Sequence, residues 1–354
     1  MYNKKRNMMQ GELSGEKVMV AEPEADILGK GYGRKKARLE LSLEEAGFLL
    51  ETGKIEIKEQ REQGEKKLNF KDFLNHALDI SPKFGWRYIV YRDLKERGYA
   101  VQPGGVDFWL YPRGAKPGEK PAKYFIRILS ERDMYPLKEL DTLLILARNM
   151  RKEPIIAVVD EESDVTYYEV KEARFEFMEL KKRKKEEKAQ ATLLGDRVIL
   201  WDANLAENLH RNDFYGKLTK EKRLLLSLVE AAYLMKKSLL EIEVIFEQFL
   251  DYASSIESDF MDKYAVYEDL REKGLIVKTG FKFGSHFRVY KARQQKHSLY
   301  LIHVLPEAHV FSMSELSRAI RLAHGVKKRM VFSFREKVGE GCIIRYVDVG
   351  RMKL

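Results

Sequence analysis

Arg87-Tyr-Ile-Val-Tyr-Arg-Asp-Leu-Lys-Glu-Arg-Gly98 returns later in the chain as Lys263-Tyr-Ala-Val-Tyr-Glu-Asp-Leu-Arg-Glu-Lys-Gly274. Tyr88, Val90, Tyr91, Asp93, Leu94, Glu96 and Gly98 recur in register, a density that chance does not supply. Outward from this segment, Gly15-Glu-Lys-Val-Met-Val20 pairs with Gly195-Asp-Arg-Val-Ile-Leu200, and Leu41-Ser-Leu-Glu-Glu-Ala46 pairs with Leu226-Ser-Leu-Val-Glu-Ala231. The chain is a tandem duplication, and repetition of this kind decides an architecture before any local motif does. Each copy divides again into a small unit of short strands with an amphipathic helix, then a unit that opens on the Tyr-rich helix. Glycine readily adopts the left-handed cap, so that helix is expected to stop at Gly98 or Gly274, with alternating strand-like runs after it. In the second copy the runs are Phe287-Arg-Val-Tyr290, Ser298-Leu-Tyr-Leu-Ile-His-Val304 and Arg329-Met-Val-Phe-Ser333. A helix from Ser314 to about Lys327 separates the last two, opening on a serine of N-cap type. The class is α+β, with mixed sheets flanked by helices. Expected divisions are 1–78 and 79–175 for the first copy, a charged linker at 176–190, and 191–258 and 259–354 for the second.

A chain of 354 residues exceeds the usual size of one domain, in keeping with several modules. Sixty-five Lys and Arg against 55 Asp and Glu give a net charge of +10, which favours polyanionic partners such as nucleic acid. The one cysteine, Cys342, excludes an intramolecular disulfide and a cysteine-rich zinc site and suits a reducing cytoplasm. No apolar segment follows the basic start, so no export is expected. The apolar stretch from Leu224 to Met235 is interrupted by Ser227 and Glu230 and is too short for a membrane span. Lys181 to Gln190 is a charge run that reads as a solvated linker. Five of the seven histidines fall after residue 280, but His286, His297, His303, His309 and His324 follow no metal-ligand spacing.

Chemistry can be sought by comparing the copies, since two descendants of one ancestor show which polar residues the fold can lose. The second copy reads Phe287-Arg-Val-Tyr290, His297-Ser-Leu-Tyr300 and Arg321-Leu-Ala-His-Gly-Val-Lys-Lys328; the first reads Phe108-Trp-Leu-Tyr111, Pro121-Ala-Lys-Tyr124 and Ile145-Leu-Ala-Arg-Asn-Met-Arg-Lys152. Tyrosine and lysine survive in both, whereas His297 faces Pro121 and Arg321 faces Ile145. By period-two alternation His286 shares a strand face with Arg288 and Tyr290, where it could line a groove.

These motifs, with the Tyr-x-x-Tyr-x-Asp-Leu helix and the Lys-Thr-Gly-x-Lys-x-Gly turn at Lys278 to Gly284, resemble the archaeal tRNA-splicing endonucleases of the fused two-repeat, homodimeric type. The resemblance runs nearly end to end. It implies an endoribonuclease that excises introns from precursor tRNA at bulge-helix-bulge junctions. It also implies Tyr290 as general base on the 2′-hydroxyl, His297 as general acid on the departing 5′ oxygen, and Lys328 as the cation that offsets transition-state charge. A tyrosine ordinarily holds its proton to about pH 10, so the base role calls for a neighbouring cation such as Lys328. The implied products are a 2′,3′-cyclic phosphate and a 5′-hydroxyl, formed without a metal or bound cofactor. The resemblance further places Arg321 and Arg351 on a bulged base, with Arg351 contributed by the opposite chain, and makes Asp160, Glu161, Glu162 and Asp164 an acidic loop that fastens the partner. His286 stands where relatives often carry Asp, and the spacing from Tyr290 to His297 is shorter than in some of them. The competing readings are a noncatalytic RNA-binding or assembly protein, which copy one alone suggests, and a nuclease with another substrate such as DNA.

Overall fold

The computed structural model describes residues 8–21, 31–62, 64–175, 188–290 and 297–354, so most of the expected linker lies outside the described residues. Two compact units form. The first takes the chain through Asp133 with Leu143–Val170 and Arg351–Leu354, and the second takes Met134–Thr142 and Lys171–Gly350.

Both copies open on one antiparallel hairpin, Met9–Ser14 with Lys17–Val20 and Ala189–Leu194 with Arg197–Leu200, in matching register: Gly11 faces Val20, and Ala191 faces Leu200. A third strand, Leu39–Ser42 or Leu224–Ser227, runs directly into a helix, Leu43–Glu51 or Leu228–Lys236. A capping box sets each switch. Ser42 Oγ accepts from the Glu45 N–H at 3.2 Å while the Glu45 carboxylate accepts from the Ser42 N–H at 2.9 Å, and Ser227 and Glu230 repeat the exchange at 3.3 and 3.0 Å. The other oxygen of each glutamate accepts from Gly33 or Gly216 N–H at 2.9 Å, which fixes the preceding loop. Ser227 and Glu230, the two residues that break the apolar stretch, are thus the cap.

The second module of copy one contains α1 (Phe84–Glu96), β1 (Val101–Pro103), β2 (Phe108–Leu110), β3 (Tyr124–Ser130), β4 (Met134–Pro136), α2 (Leu137–Met150), β5 (Glu153–Val159) and β6 (Val165–Glu172). Copy two repeats the order as α3 (Phe260–Glu272), β7 (Ile276–Thr279), β8 (Phe287–Tyr290), β9 (Tyr300–Val304), β10 (Val310–Ser312), α4 (Met313–Gly325), β11 (Arg329–Val338) and β12 (Gly341–Met352). Neighbours run β1-β2-β3-β5-β6 and β7-β8-β9-β11-β12. Only β3 with β5 and β9 with β11 are parallel. Within the second unit β4 pairs with β10, Tyr135 facing Phe311.

The repeated Tyr-rich helix earns its sequence through packing. Val90, Tyr91 and Leu94 are fully buried on one face of α1, and Val266, Tyr267 and Leu270 are buried on α3, at the spacing of a helix's inner stripe. Asp93 and Asp269 accept from Tyr167 Oη at 2.7 Å and Tyr346 Oη at 2.6 Å, tying each helix to β6 or β12. Gly98 (φ 84°) and Gly274 (φ 79°) end the helices, and Tyr99 and Leu275 N–H close back onto Leu94 and Leu270 O. The serine expectation shifts by two: Ser312, not Ser314, caps α4, its Oγ accepting from Glu315 N–H at 3.2 Å. Ser314 is the second residue of the helix, with its Oγ 3.0 Å from the cap's own hydroxyl.

Candidate active site

Register brings the distant motifs of copy two together. Val289 on β8 faces Tyr300 on β9, and Tyr300 lies beside Arg329 on β11. One step further along, Tyr290, Leu299 and Lys328 form the next row. Leu299 N–H donates to Val289 O at 2.9 Å, and Arg329 N–H donates to Leu299 O at 3.2 Å. Adjacent strands lie about 4.8 Å apart, so the Tyr290 and Lys328 backbones are about 10 Å apart and both side chains can reach one phosphate between them. Phe287 and Val289 point into the core while Arg288 and Tyr290 are partly exposed, as the pleat requires. His297, exposed two residues ahead of Leu299, arrives at the same end of β9. Arg329 Nε donates to the buried carboxylate of Asp348 at 2.5 Å, which fixes the start of β11 and with it Lys328.

The row is cationic; His297 is exposed, and Tyr290 and Lys328 are partly exposed. The Arg288 guanidinium lies 5.9 Å from the Tyr290 ring centre and 5.4 Å from that of Phe283, and its Nε donates to Thr279 O at 2.8 Å. Lys328 Nζ lies 5.5 Å from the Phe283 ring centre and makes one long hydrogen bond, 3.4 Å to Val326 O. Neither the Tyr290 hydroxyl nor the His297 ring bonds to a described residue. Residues 291–296, which set the spacing between them, lie outside the described residues.

Copy one uses its counterparts differently. Tyr111 is buried and donates to Gln102 Oε1 at 2.8 Å. Lys152 donates to Ala122 O at 2.6 Å and lies 5.3 Å from the ring centre of Trp109, which stands where copy two has Arg288. Pro121 stands in place of His297, and Tyr111 and Lys152 are each tied to a separate neighbour.

His286 lies on the side of Arg288 and Tyr290 that alternation gives it, precedes β8 at the end of that strand away from Tyr290, and lines the cleft described below. Its Nδ1 accepts from Val304 N–H at 2.9 Å, its Nε2 lies 3.7 Å from Asp259, and its ring centre is 4.7 Å from that of His303. In copy one Asp107 performs this task, accepting from Ile128 N–H at 2.9 Å. His286 is therefore a neutral acceptor that anchors β9, and burial, helped by His303, pushes its pKa down to about 4. Because that value lies below the ordinary 6.5, the unfolded chain binds this proton more readily. The contribution is present above about pH 6.5 and is lost as pH falls through about 4, about 3 kcal/mol at most. Denaturant unfolding at pH 7 and pH 4.5 should therefore differ more for the parent than for His286→Asp, with cleavage at pH 7 unchanged. A drop in cleavage of about tenfold or more in that variant would return His286 to the RNA face.

Arg321 is exposed on α4, its guanidinium 3.4 Å from Ser317 Oγ. Arg351 is exposed, next to last in strand β12, and belongs to the first unit. The acidic segment is the β5–β6 hairpin of that unit. Asp160 Oδ1 accepts from Glu162 and Asp164 N–H at 3.0 and 2.8 Å, so this carboxylate ties the turn. Glu161, Glu162 and Asp164 are exposed, Glu161 meeting Arg132 at 2.5 Å. Within the second unit, a cleft of about 520 Å³ opens between the N-terminal module and the β7–β8 turn, lined by Arg197, Lys217, Lys263 and Lys278 among others. Lys278 Nζ donates to Gly216 O at 2.7 Å, and burial lowers its pKa. Arg197 and Lys263 pair with Asp196 and Asp259 at 2.8 Å, whereas Lys217 has no carboxylate partner among the described residues. In the sequence Lys278 stands out only as part of a turn. Among the described residues no helix is long and apolar enough to cross a membrane, and no group of three or more His, Cys, Asp or Glu is placed to hold a metal ion.

Comparison with known proteins agrees with the duplication. The tRNA intron endonuclease N-terminal domain matches residues 9–74 and 189–252, and the catalytic C-terminal domain matches 84–167 and 260–346. A tRNA-splicing endonuclease of Methanosarcina acetivorans is 44% identical over 98% of this chain and 100% of its own length. One from Methanococcoides burtonii is 43% identical over the same shares, and one from Halobacterium salinarum is 32% identical over 97% of this chain and 99% of its own. The duplicated modules and relatives matched from end to end place the chain in the tRNA intron endonuclease family.

Proposed function

We propose that the chain is an endoribonuclease that excises introns from precursor tRNA at bulge-helix-bulge junctions, with its chemistry confined to the second copy. The observation that supports this reading is the strand-end register of copy two, which sets Tyr290 and Lys328, both partly exposed, at the ends of strands flanking the one that His297 leads into, while Tyr111 and Lys152 of copy one are tied to neighbours. Tyr290 takes the proton from the 2′-hydroxyl, and the 2′ oxygen attacks the adjacent phosphorus. His297 gives a proton to the 5′ oxygen as the P–O5′ bond breaks, and Lys328 offsets the charge that builds on the phosphoryl oxygens. One base, one acid and one cation supply the reaction without a metal or cofactor. Arg288 meets phosphate beside Tyr290, and Arg321 with Arg351 grips an unstacked base.

The working particle is a homodimer, acting in the cytoplasm, with the five divisions at 1–78, 79–175, 176–190, 191–258 and 259–354. The exposed carboxylates of the β5–β6 hairpin dock into the partner's cleft, where Lys217 and Lys278 form no ion pair among the described residues of their own chain. The test is cleavage of an end-labelled bulge-helix-bulge RNA in EDTA. The expected products end in 2′,3′-cyclic phosphate and 5′-hydroxyl; a requirement for added Mg²⁺, or a 5′-phosphate end, contradicts the mechanism.

A further inference from the structure

Both copies set an aromatic ring against the lysine that ends the strand row, but they take the ring from different places. In copy one it is Trp109 on β2, its ring centre 5.3 Å from Lys152 Nζ. The short turn ahead of β2 lies on that indole: a Cβ on Gly104 or Gly105 would stand 2.3 or 2.9 Å from its atoms. In copy two Arg288 takes the place of Trp109, and the ring comes from the β7–β8 turn instead. Pro103 and Phe108 are paired and residues 104–107 join them; Thr279 and Phe287 are paired and residues 280–286 join them, three more. The longer turn carries the half-buried Phe283, whose ring centre lies 5.5 Å from Lys328 Nζ and 5.4 Å from the Arg288 guanidinium.

The turn holds this ring by its own backbone. Phe283 N–H donates to Gly280 O at 2.7 Å, Gly280 N–H donates to His286 O at 2.8 Å, and Gly284, at φ 64°, returns the chain towards β8. Gly280 packs so closely on Ser285 that a Cβ there would stand 2.2 Å from the serine Oγ.

Two like charges beside one ring repel each other. The electron-rich ring offsets that repulsion and neutralises neither, whereas a carboxylate would tie up the charge that a phosphate needs. Among the described residues neither Arg288 nor Lys328 pairs with a carboxylate; they donate to Thr279 O and Val326 O. The lysine's own bond is long, 3.4 Å, against 2.6 Å from Lys152 to Ala122 O in copy one, so the ring is the larger part of what orients it.

We propose that Phe283 is a positioning residue for RNA cleavage: its ring holds the Lys328 ammonium, with the Arg288 guanidinium beside it, and leaves both charges available to the phosphate. The proposal rests on the reading that Lys328 offsets charge in the transition state.

The test is single-turnover cleavage of a bulge-helix-bulge RNA by saturating full-length protein. Phe283→Leu, which keeps apolar bulk and loses the ring, should slow cleavage by about three- to thirtyfold, and Phe283→Tyr should cut at nearly the parental rate. Replacing Phe283 by 3,4,5-trifluorophenylalanine keeps the ring's shape and drains its electron density, so it should slow cleavage much as leucine does. In a Lys328→Met background, Phe283→Leu should slow cleavage little further, because the group that the ring positions is gone. A parental rate in the trifluoro protein overturns the proposal and leaves Phe283 a packing residue. So does a leucine effect of the same size with and without Lys328. Failure of the parent to cut this RNA, or a parental rate in Lys328→Met itself, removes the reading beneath the proposal, a result distinct from the other two.

Discussion

His297→Ala is expected to slow single-turnover cleavage by about a hundred- to ten-thousandfold with RNA affinity unchanged. The ring is exposed and bonds to no described residue, so its removal leaves no buried group unsatisfied and no packing gap. Loss of rate without loss of binding is the signature of an interaction made in the transition state. A substrate with sulfur in place of the leaving 5′ oxygen separates the acid role from others, because a thiolate departs without needing a proton. The variant should cut that RNA at nearly the parental rate. A variant equally slow on both substrates would move His297 out of the acid role.

The second large effect concerns assembly. On the proposed docking, Glu162→Lys with Asp164→Lys is expected to weaken dimerisation by about a thousandfold, since it would set cations against the Lys217 and Lys278 side of the partner's cleft. Asp160 is left in place because its carboxylate ties the hairpin through two backbone N–H groups. The substituted side chains are exposed, so thermal unfolding of the protomer should change little. Sedimentation at micromolar concentration should turn from dimer to monomer, and cutting at the two junctions should fall together. A stable dimer in the double variant would contradict the docking reading.

How much of the fold and the site was legible in the sequence depends on what repetition can report. The Tyr-rich helices, the glycines that end them and the class of fold were readable because each came twice, and a chance pattern does not recur with the same spacing. Comparison of the copies singled out Tyr290, His297, Lys328 and Arg321 as polar residues kept together in copy two, and the family resemblance, not the residues alone, supplied their proposed roles. Alternation placed His286 on the correct side of a strand but could not say that its nitrogen would be taken by the Val304 N–H, since that partner arrives from β9. The equivalent aspartate, Asp107, was the available signal: an acceptor stood at that place in both copies. Ser312 and Ser314 both suit a cap, and only the pairing of β10 with β4, which holds Ser312 extended, decides between them. Asp160 counted as one of four acidic residues, whereas the turn claims its carboxylate.

The central claim is that copy two cuts RNA through the substrate's own 2′-hydroxyl. It is tested most directly by single-turnover cleavage, in EDTA, of a bulge-helix-bulge RNA with a single 2′-deoxy at one scissile junction and a normal ribose at the other. The account predicts that the ribose junction is cut and the deoxy junction is left intact in the same molecule. Cutting at both junctions would mean that the nucleophile comes from elsewhere, and that Tyr290, His297 and Lys328 do not act as base, acid and cation on a 2′-hydroxyl attack.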